Sequence, residues 1–165
     1  MADHEVSDDK FEIDATIKMQ DSNGSTKTIR IDQAKLMDQF FIQRDLSSIS
    51  DKPFFKIATV EWGYGFIEQV NGQDSVKDIP TDSLGLDAVL AENVPARSYP
   101  NNIITLRCVL PAGTVTKGSV YYFSALNIKD GKGNSIIKAV VLPIPVTSER
   151  LLQFDLEIRK IPAGA

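Results

Sequence analysis

The sequence predicts a mainly β (α+β) protein: an antiparallel β-sandwich or small barrel with one N-terminal amphipathic helix. Three observations predict this fold class. Several segments alternate apolar and polar residues with the period of two that is typical of half-buried strands. Turn residues separate these segments, and only one stretch repeats its apolar residues at helical spacing. A chain of 165 residues, 42% of them hydrophobic, is long enough to bury one core.

The N-terminal part predicts an arm followed by a hairpin. Residues 1–10 are acidic and polar and carry little to bury, so we expect a flexible acidic arm. From Phe11 to Met19 every second residue is apolar, which predicts a strand with one buried face. The dipeptide Asn23-Gly24 is a strong hairpin signal, and residues 28–31 supply the returning strand.

A single long helix is predicted from Gln33 to Leu46. Asp32 is its predicted N-cap. The segment 47–53 ends it, because the residue before a proline avoids the helical backbone conformation. The apolar residues that define the helix recur about four positions apart: Leu36, Met37, Phe40 and Phe41.

The middle of the chain predicts one central strand and one ambiguous segment. Residues 54–62 are apolar on both faces, which favours a strand inside a sheet. Residues 66–100 contain three prolines and no sustained period. Two interpretations stay open for this segment: a short helix around Leu86 to Leu90, or an extended arm that reaches a partner.

The last third predicts closely spaced strands. Residues 104–110, 120–128 and 136–142 read as strands, the last of them a core strand that Pro143 and Pro145 end. A final one-sided strand follows near residues 152–158. The predicted organisation is an arm at 1–10, one β-rich domain at 11–162 and a tail at 163–165; within the domain, a hairpin plus helix occupies 11–46 and a β core 54–160.

Charge and composition argue against several functions. The net charge is −4 and no lysine or arginine cluster is dense, so nucleic acid is not an expected partner. No apolar run is long enough to predict a membrane span. The acidic N-terminus does not resemble a signal peptide, so we expect synthesis in a cytoplasm. The single Cys108 predicts no internal disulfide.

The candidate catalytic residues do not assemble into a recognisable site. His4 is the only histidine and lies in the predicted arm, which argues against a triad built on histidine. Cys108 lies on the apolar face of a strand, where a thiol behaves as a small hydrophobic group. Asp155 and Glu157 alternate on a half-exposed strand, where carboxylates are usually solvated. We therefore predict no catalytic residue and no enzymatic activity.

Two glycine-containing motifs also have a simple structural interpretation. The segment 130–134, Asp-Gly-Lys-Gly-Asn, lacks the acidic ligands of a calcium loop and predicts a hairpin turn. Gly63-Tyr64-Gly65 has Glu68 where a dinucleotide fingerprint needs its third glycine, so a tight turn or a close backbone contact is expected. No metal and no cofactor are predicted.

The aromatic residues of the second half are the candidate interface. If exposed together, they form a protein interface or a platform on which a sugar ring stacks; if buried, they belong to the core. Both alternatives stay open. These residues are Trp62, Tyr64, Tyr99, Tyr121 and Tyr122.

Four segments in order resemble the tail-collar and tail-fibre attachment domains of tailed bacteriophages. They are KIATVEWGYG, a strand into a glycine turn; NNIITLRCVLPAG, a strand into a proline-containing turn; VYYFSALNIKDGKGNSIIKAVVLPIP, a hairpin; and LLQFDLEIRK, a closing strand. In the hairpin, Asp130, Gly133 and Asn134 occupy the matching turn positions. The preceding helix AKLMDQFFI is similar to the helix that opens such domains. The resemblance covers about residues 56–160.

This resemblance implies a structural role and supplies no catalytic residues. It predicts a virion protein of the phage tail that fastens fibres to the baseplate, with other tail, baseplate and fibre proteins as partners and a homo-oligomer such as a trimer or hexamer. Fibre proteins continue into a long shaft, whereas this sequence stops at Ala165, and the hairpin over residues 11–31 is longer than the family's. Both departures favour a baseplate protein or fibre adaptor.

Three alternatives to the adaptor function remain. The first is a receptor-binding tail fibre protein. The second is a carbohydrate-binding module that recognises a host glycan, which requires Trp62, Tyr64 and their neighbours to form an exposed platform. The third is a glycosidase, which requires Asp155 and Glu157, or another acidic pair, to face each other across a cleft.

Overall fold

Two five-stranded antiparallel sheets face each other in this computed structural model, which describes residues 10–161. In the first sheet the strand order is β2-β1-β12-β9-β8. Its strands are β1 (Lys10–Gln20), β2 (Thr26–Arg30), β8 (Ala96–Ser98), β9 (Ile104–Leu110) and β12 (Leu151–Ile161). The long β1–β12 pair forms its centre, with Lys10 opposite Ile161 and Gln20 opposite Leu151.

The second sheet has the order β3-β11-β10-β4-β7. Its strands are β3 (Gln33–Leu36), β4 (Ile57–Tyr64), β7 (Ala88–Asn93), β10 (Tyr121–Asp130) and β11 (Ser135–Val146). Both sheets end in unpaired edge strands among the described residues, so the architecture is a sandwich without a closed barrel. The predicted mainly β fold class is confirmed, and the sandwich is the correct one of its two forms.

The core lies between the sheets because each strand turns its apolar residues to the same side. β12 shows this alternation: Leu152, Phe154, Leu156 and Ile158 are buried, while the residues between them are only half-buried. From the second sheet, Trp62 and Phe123 meet in the same core with ring centroids 5.5 Å apart. Burial of such side chains contributes roughly 1.5–3 kcal/mol each.

The outer face of the second sheet is also covered. The hairpin of β5 (Ile67–Val70) and β6 (Gln73–Val76), together with residues 77–87, packs over it. Ile79 is fully buried there against Ala125 and Val140 of the sheet. A sheet covered on both faces has little contact with water, so any polar residue on its outer face needs a partner.

The helix α1 (Asp38–Ser48) is the one α-helix among the described residues, and it packs against the core of the sandwich. Phe40 is buried there, and its ring lies 5.9 Å from that of Phe11 and 5.4 Å from that of Phe55. Ser47 anchors the chain after the helix, because its Oγ accepts hydrogen bonds from the backbone N–H groups of Phe54 and Phe55.

The structure corrects the predicted start of this helix. Residues 33–36 form the edge strand β3, which pairs with β11, and the helix begins five residues later than expected. Asp32 is not its N-cap; its carboxylate accepts a hydrogen bond from the backbone N–H of Leu142 at 3.2 Å. Pairing with an available strand outweighs the local helical pattern of this segment.

For the segment 66–100, the prediction of a helix around Leu86 to Leu90 is wrong, because the strand β7 occupies Ala88–Asn93. It is also not an extended arm: β5 and β6 pack over the second sheet, β7 is an edge strand of that sheet, and β8 is an edge strand of the first sheet. Pro143 and Pro145 do not end β11, which continues to Val146 beyond them. The acidic arm predicted at 1–10 falls outside the described residues except for Lys10, which begins β1, and the predicted tail at 163–165 also lies outside them.

Candidate functional site

Three of the five candidate aromatic residues line one groove. Tyr64 comes from the end of β4, and Tyr121 and Tyr122 from the start of β10. The groove has a volume of about 570 Å³. Its remaining lining residues are Asp74, Ala88, Val120 and Pro143. We call this the tyrosine groove.

The two adjacent tyrosines of β10 play different parts in the tyrosine groove. Tyr122 is 56% exposed and Val120 is 53% exposed, so together they present apolar surface to solvent. Tyr121 packs against the core, and its buried hydroxyl has no hydrogen-bond partner among the described residues. Burial raises the pKa of the Tyr121 phenol. Of these two rings, that of Tyr121 is anchored in the core and that of Tyr122 is exposed.

The other two aromatic residues lie elsewhere. Trp62 is fully buried in the core, and its Nε1 donates a hydrogen bond to Oδ1 of Asn93 at 3.2 Å. Tyr99 is 64% exposed and precedes the short 3-10 helix Pro100–Asn102. A platform that includes Trp62 is therefore not formed, and Tyr99 does not line the groove.

A line of polar residues crosses the outer face of the second sheet, and none of them was predicted from the sequence as a site residue. One residue of each strand lies directly opposite the next, so five side chains share one face in a single line. We call this the polar row. In strand order it consists of Lys35, Lys138, Asn127, Glu61 and Glu92.

Lys138 is the fully buried member of the polar row. Its Nζ donates to the backbone oxygen and to Oγ of Ser83, at 3.0 and 2.9 Å, and lies 5.2 Å from the centre of the Phe66 ring. Burial lowers the pKa of Lys138 to about 8, against a smaller opposite effect of Glu61. A buried lysine thus ties residues 77–87 to the sheet.

Asn127 and Glu61 form the middle of the polar row. Asn127 is 1% exposed and donates from Nδ2 to Oε1 of Glu61 at 2.7 Å, while its buried Oδ1 has no hydrogen-bond partner among the described residues. Lys129 lies 3.5 Å from Glu61 and 2.9 Å from Glu92. The hydrogen bond to Glu92 is the main reason that the pKa of Lys129 is raised.

One signal in the sequence could have revealed the polar row. Lys138 interrupts the apolar run SIIKAVVL of a predicted core strand, and a lysine in such a position needs partners. Its partners Asn127 and Glu61 lie on separate strands, so the row depends on strand register, which the local pattern does not reveal.

The remaining candidates are accounted for by local contacts. Cys108 is fully buried, and burial raises its pKa to about 12. Asp155 accepts a hydrogen bond from Nε of Arg107 at 2.8 Å, and Glu157 accepts one from Nη2 of Arg159 at 2.6 Å. The two carboxylates therefore lie side by side along β12, each in its own ion pair, and do not face each other across a cleft.

The two glycine motifs are explained by backbone packing. Asp130 accepts hydrogen bonds from the backbone N–H groups of Lys132 and Asn134, which fixes the β10–β11 turn. Gly63 allows close backbone contact, since a Cβ atom there would lie 1.9 Å from the backbone oxygen of Ala88. The prediction of a hairpin turn at 130–134 is confirmed. The prediction of a close contact at the 63–65 motif is confirmed as well.

Two further kinds of feature, metal-binding clusters and membrane-spanning helices, are absent among the described residues. Within residues 10–161, no group of three or more His, Cys, Asp or Glu side chains is placed to hold a metal ion. In the same part of the chain, no helix combines the length and the apolar character needed to cross a membrane.

Comparison with known proteins gives no relative. The chain matches no protein-family model, no curated protein and no solved structure.

Proposed function

We propose that this chain is a structural virion protein of a tailed bacteriophage, made in the host cytoplasm and placed at the baseplate or tail-fibre junction, where it links fibres to the tail. The observation that carries the proposal is the tyrosine groove. An open groove with exposed Tyr122 and Val120 beside Tyr64 is a surface that a partner protein can cover.

The chemistry of the tyrosine groove suits a segment of a partner protein. Tyrosine offers a large apolar ring with a polar hydroxyl and few bonds to immobilise, and it is enriched among residues that dominate binding energy. Asp74 adds an acidic group to the lining, and Gln69 donates a hydrogen bond to it. The preferred partner segment is therefore apolar and carries a lysine or arginine near one end.

The sequence resemblance supports the location in the virion. The four segments that carry the resemblance coincide with strands of both sheets. The first contains β4, the second contains β9, the third contains β10 and most of β11, and the last covers nearly all of β12. The strands of the first and third segments, β4, β10 and β11, are neighbours in one sheet and form the wall that carries all three tyrosines of the groove.

Immunogold electron microscopy of phage particles tests the location. Antibodies raised against the purified chain are applied to tailed particles produced by cells that carry its gene, and labelling is expected at the end of the tail where fibres attach. Absence of the chain from purified particles would overturn the proposal. Labelling only at distal fibre tips would instead support the alternative of a receptor-binding fibre protein.

Complementation with groove variants tests whether the tyrosine groove holds the partner. Tyr122→Ala is expected to reduce incorporation of the chain into particles at least tenfold, as loss of a central aromatic contact of about 2 kcal/mol would do. Tyr99→Ala is the matched control, because Tyr99 is similarly exposed but lies outside the groove. Equal incorporation of the two variants would contradict the assignment.

The same surface supports a second candidate function. Exposed tyrosine rings beside a carboxylate can also stack on and hydrogen-bond to a sugar, which corresponds to a carbohydrate-binding host-recognition module. Binding of the isolated chain to a glycan array, abolished by Tyr122→Ala and kept by Tyr99→Ala, would favour this function. Incorporation into particles without any glycan binding would favour the adaptor.

A further inference from the structure

An amine, a primary amide and a carboxylate lie in three consecutive strands of the polar row. Lys138 of β11 is directly opposite Asn127 of β10, and Asn127 is directly opposite Glu61 of β4. The Cβ atoms of directly opposed residues are about 5 Å apart, which is within the reach of a lysine side chain. Lys138 and Asn127 are 0% and 1% exposed.

We propose that Lys138 and Asn127 form an intramolecular isopeptide bond, with Glu61 carrying the proton that the reaction must move. This proposal concerns the chemistry of the polar row and is independent of the function of the tyrosine groove.

The reaction balances without an oxidant, a reductant or a cofactor. The neutral Nζ of Lys138 attacks Cγ of Asn127, a C–N bond forms, and the carbonyl electron pair moves to Oδ1. Glu61 accepts a proton released from Nζ and donates it to Nδ2. The bond between Cγ and Nδ2 then breaks, ammonia leaves, and the carbonyl re-forms. An amine and a primary amide become a secondary amide and ammonia, and Glu61 returns to its ionised form.

The contacts of Asn127 place the acid–base group on the leaving nitrogen. Oε1 of Glu61 accepts the hydrogen bond from Nδ2 at 2.7 Å, so the carboxylate touches the atom that must be protonated. Lys129, 3.5 Å from Oε2 of Glu61, holds the second carboxylate oxygen. The buried Oδ1 of Asn127 has no hydrogen bond among the described residues.

The surroundings of Lys138 favour its neutral form. Burial lowers the pKa of Lys138 to about 8. At pH 7, Lys138 is therefore a neutral nucleophile in about a tenth of the molecules. Its Nζ donates to Ser83, and attack requires rotation about the side-chain bonds from Ser83 toward Asn127. A cavity of about 410 Å³ lined by Asn127 and Glu61 gives ammonia a way out.

The neighbouring lysine of the polar row provides a matched control. Lys35 is directly opposite Lys138 on β3, so it is one strand further from the amide. Its Nζ is held by Asp78 at 2.6 Å and by the backbone oxygen of Ile79 at 3.1 Å. Lys35→Met thus removes a lysine from the same row and leaves the three reacting groups in place.

Intact-mass spectrometry of the purified full chain is the first experiment, and it needs no variant. We expect a mass lower than that of the sequence by about 17 Da, which is one ammonia. Protease digestion should then yield one branched peptide that joins the fragments containing Lys138 and Asn127. An unmodified mass after incubation of the folded protein for days at pH 8 would overturn the proposal.

Variants distinguish the isopeptide bond from a succinimide at Asn127, which also loses ammonia. Lys138→Met, Asn127→Ala and Glu61→Gln are expected to show no mass loss, whereas Lys35→Met keeps it. Loss of ammonia that survives Lys138→Met would show that another reaction, such as succinimide formation at an asparagine, is its source and would overturn the proposal. Cross-linking that survives Glu61→Gln would overturn the role of Glu61.

Discussion

At the residue scale, backbone packing requires a residue without a side chain at position 63, where the sequence has Gly63. The Cβ atom of any other residue would lie 1.9 Å from the backbone oxygen of Ala88, on the neighbouring strand β7. An oxygen of the main chain cannot move aside as the end of a flexible side chain can. The β4–β7 pairing is already irregular at this point, between Trp62 and Gly63.

Gly63→Ala is therefore expected to destabilise the protein by roughly 1–3 kcal/mol, because β4 and β7 must separate locally. The measurement is the urea midpoint of unfolding. Gly65→Ala is the control, since its Cβ would meet its nearest atom at an ordinary 3.6 Å. Equal losses for both variants would show that backbone crowding at Gly63 is not the cause.

Cys108 is a second residue whose environment has a measurable consequence. Burial, and to a smaller extent Asp155, raises its pKa from 9.0 to about 12. The folded chain therefore keeps the thiol proton between pH 9 and 12, where the unfolded chain loses it. Folding stability associated with Cys108 is fully present below pH 9 and falls as the pH rises toward 12.

The expected result is that native Cys108 resists a thiol-labelling reagent at pH 8 and reacts once urea unfolds the chain. Relative to Cys108→Ala, the wild-type free energy of unfolding should fall by at most about 1.4 kcal/mol per pH unit above pH 9. A difference between the two proteins that stays constant from pH 8 to 10.5 would contradict this assignment.

At the element scale, the β10–β11 hairpin depends on one buried carboxylate. Asp130 is 2% exposed, and its Oδ1 accepts from the backbone N–H groups of Lys132 at 2.9 Å and Asn134 at 2.8 Å. Its Oδ2 accepts from Nδ2 of Asn134 at 3.0 Å. This hairpin carries Lys138 and Asn127 in register, so its turn also sets the geometry of the polar row.

Asp130→Ala is expected to cost about 1–3 kcal/mol in chemical unfolding, because two backbone donors in the turn lose their partner. Asp130→Asn should recover part of this loss, since an amide oxygen can accept the same two bonds. The comparison variant is Asn23→Ala in the exposed β1–β2 turn, where loss of the bonds to Ser25 should cost less than about 1 kcal/mol. A similar loss in the free energy of unfolding for Asp130→Ala and Asn23→Ala would contradict the claim that burial makes the Asp130 turn the more costly one to disrupt.

At the scale of the whole molecule, the sandwich has open edge strands that are available for pairing with another chain. Among the described residues, β2 and β8 end one sheet and β3 and β7 end the other. An edge strand offers unpaired backbone groups to another chain. Identical copies placed around a phage tail would use head-to-tail contacts that close into a ring.

Light scattering over a concentration series of the purified chain is expected to show a stable trimer or hexamer. Such a mass is what the resemblance to tail-attachment domains implies, with rotational symmetry supplied by repeated contacts. Tyr122→Ala should leave this mass unchanged if the tyrosine groove binds a different protein. A monomer at every concentration would contradict the homo-oligomer that the resemblance predicts.

The sequence by itself determined the mainly β class, most strand segments and the β10–β11 turn. These features are local: alternation with a period of two and a turn built by Asp130 need only neighbouring residues. The same local evidence failed at residues 33–36, where a helical pattern gives way to pairing with β11. Local preference is weaker than the gain from completing a sheet.

Only the tertiary structure decided which side chains meet. It placed Trp62 in the core, brought Tyr64 to Tyr121 and Tyr122, and aligned Lys138 with Asn127 across two strands. Each of these outcomes depends on strand order and register, and a shift of one residue would turn every side chain of a strand to the opposite face. Register is the alignment of residues between paired strands, which come from distant parts of the chain. The pattern of residues within one strand therefore does not determine it.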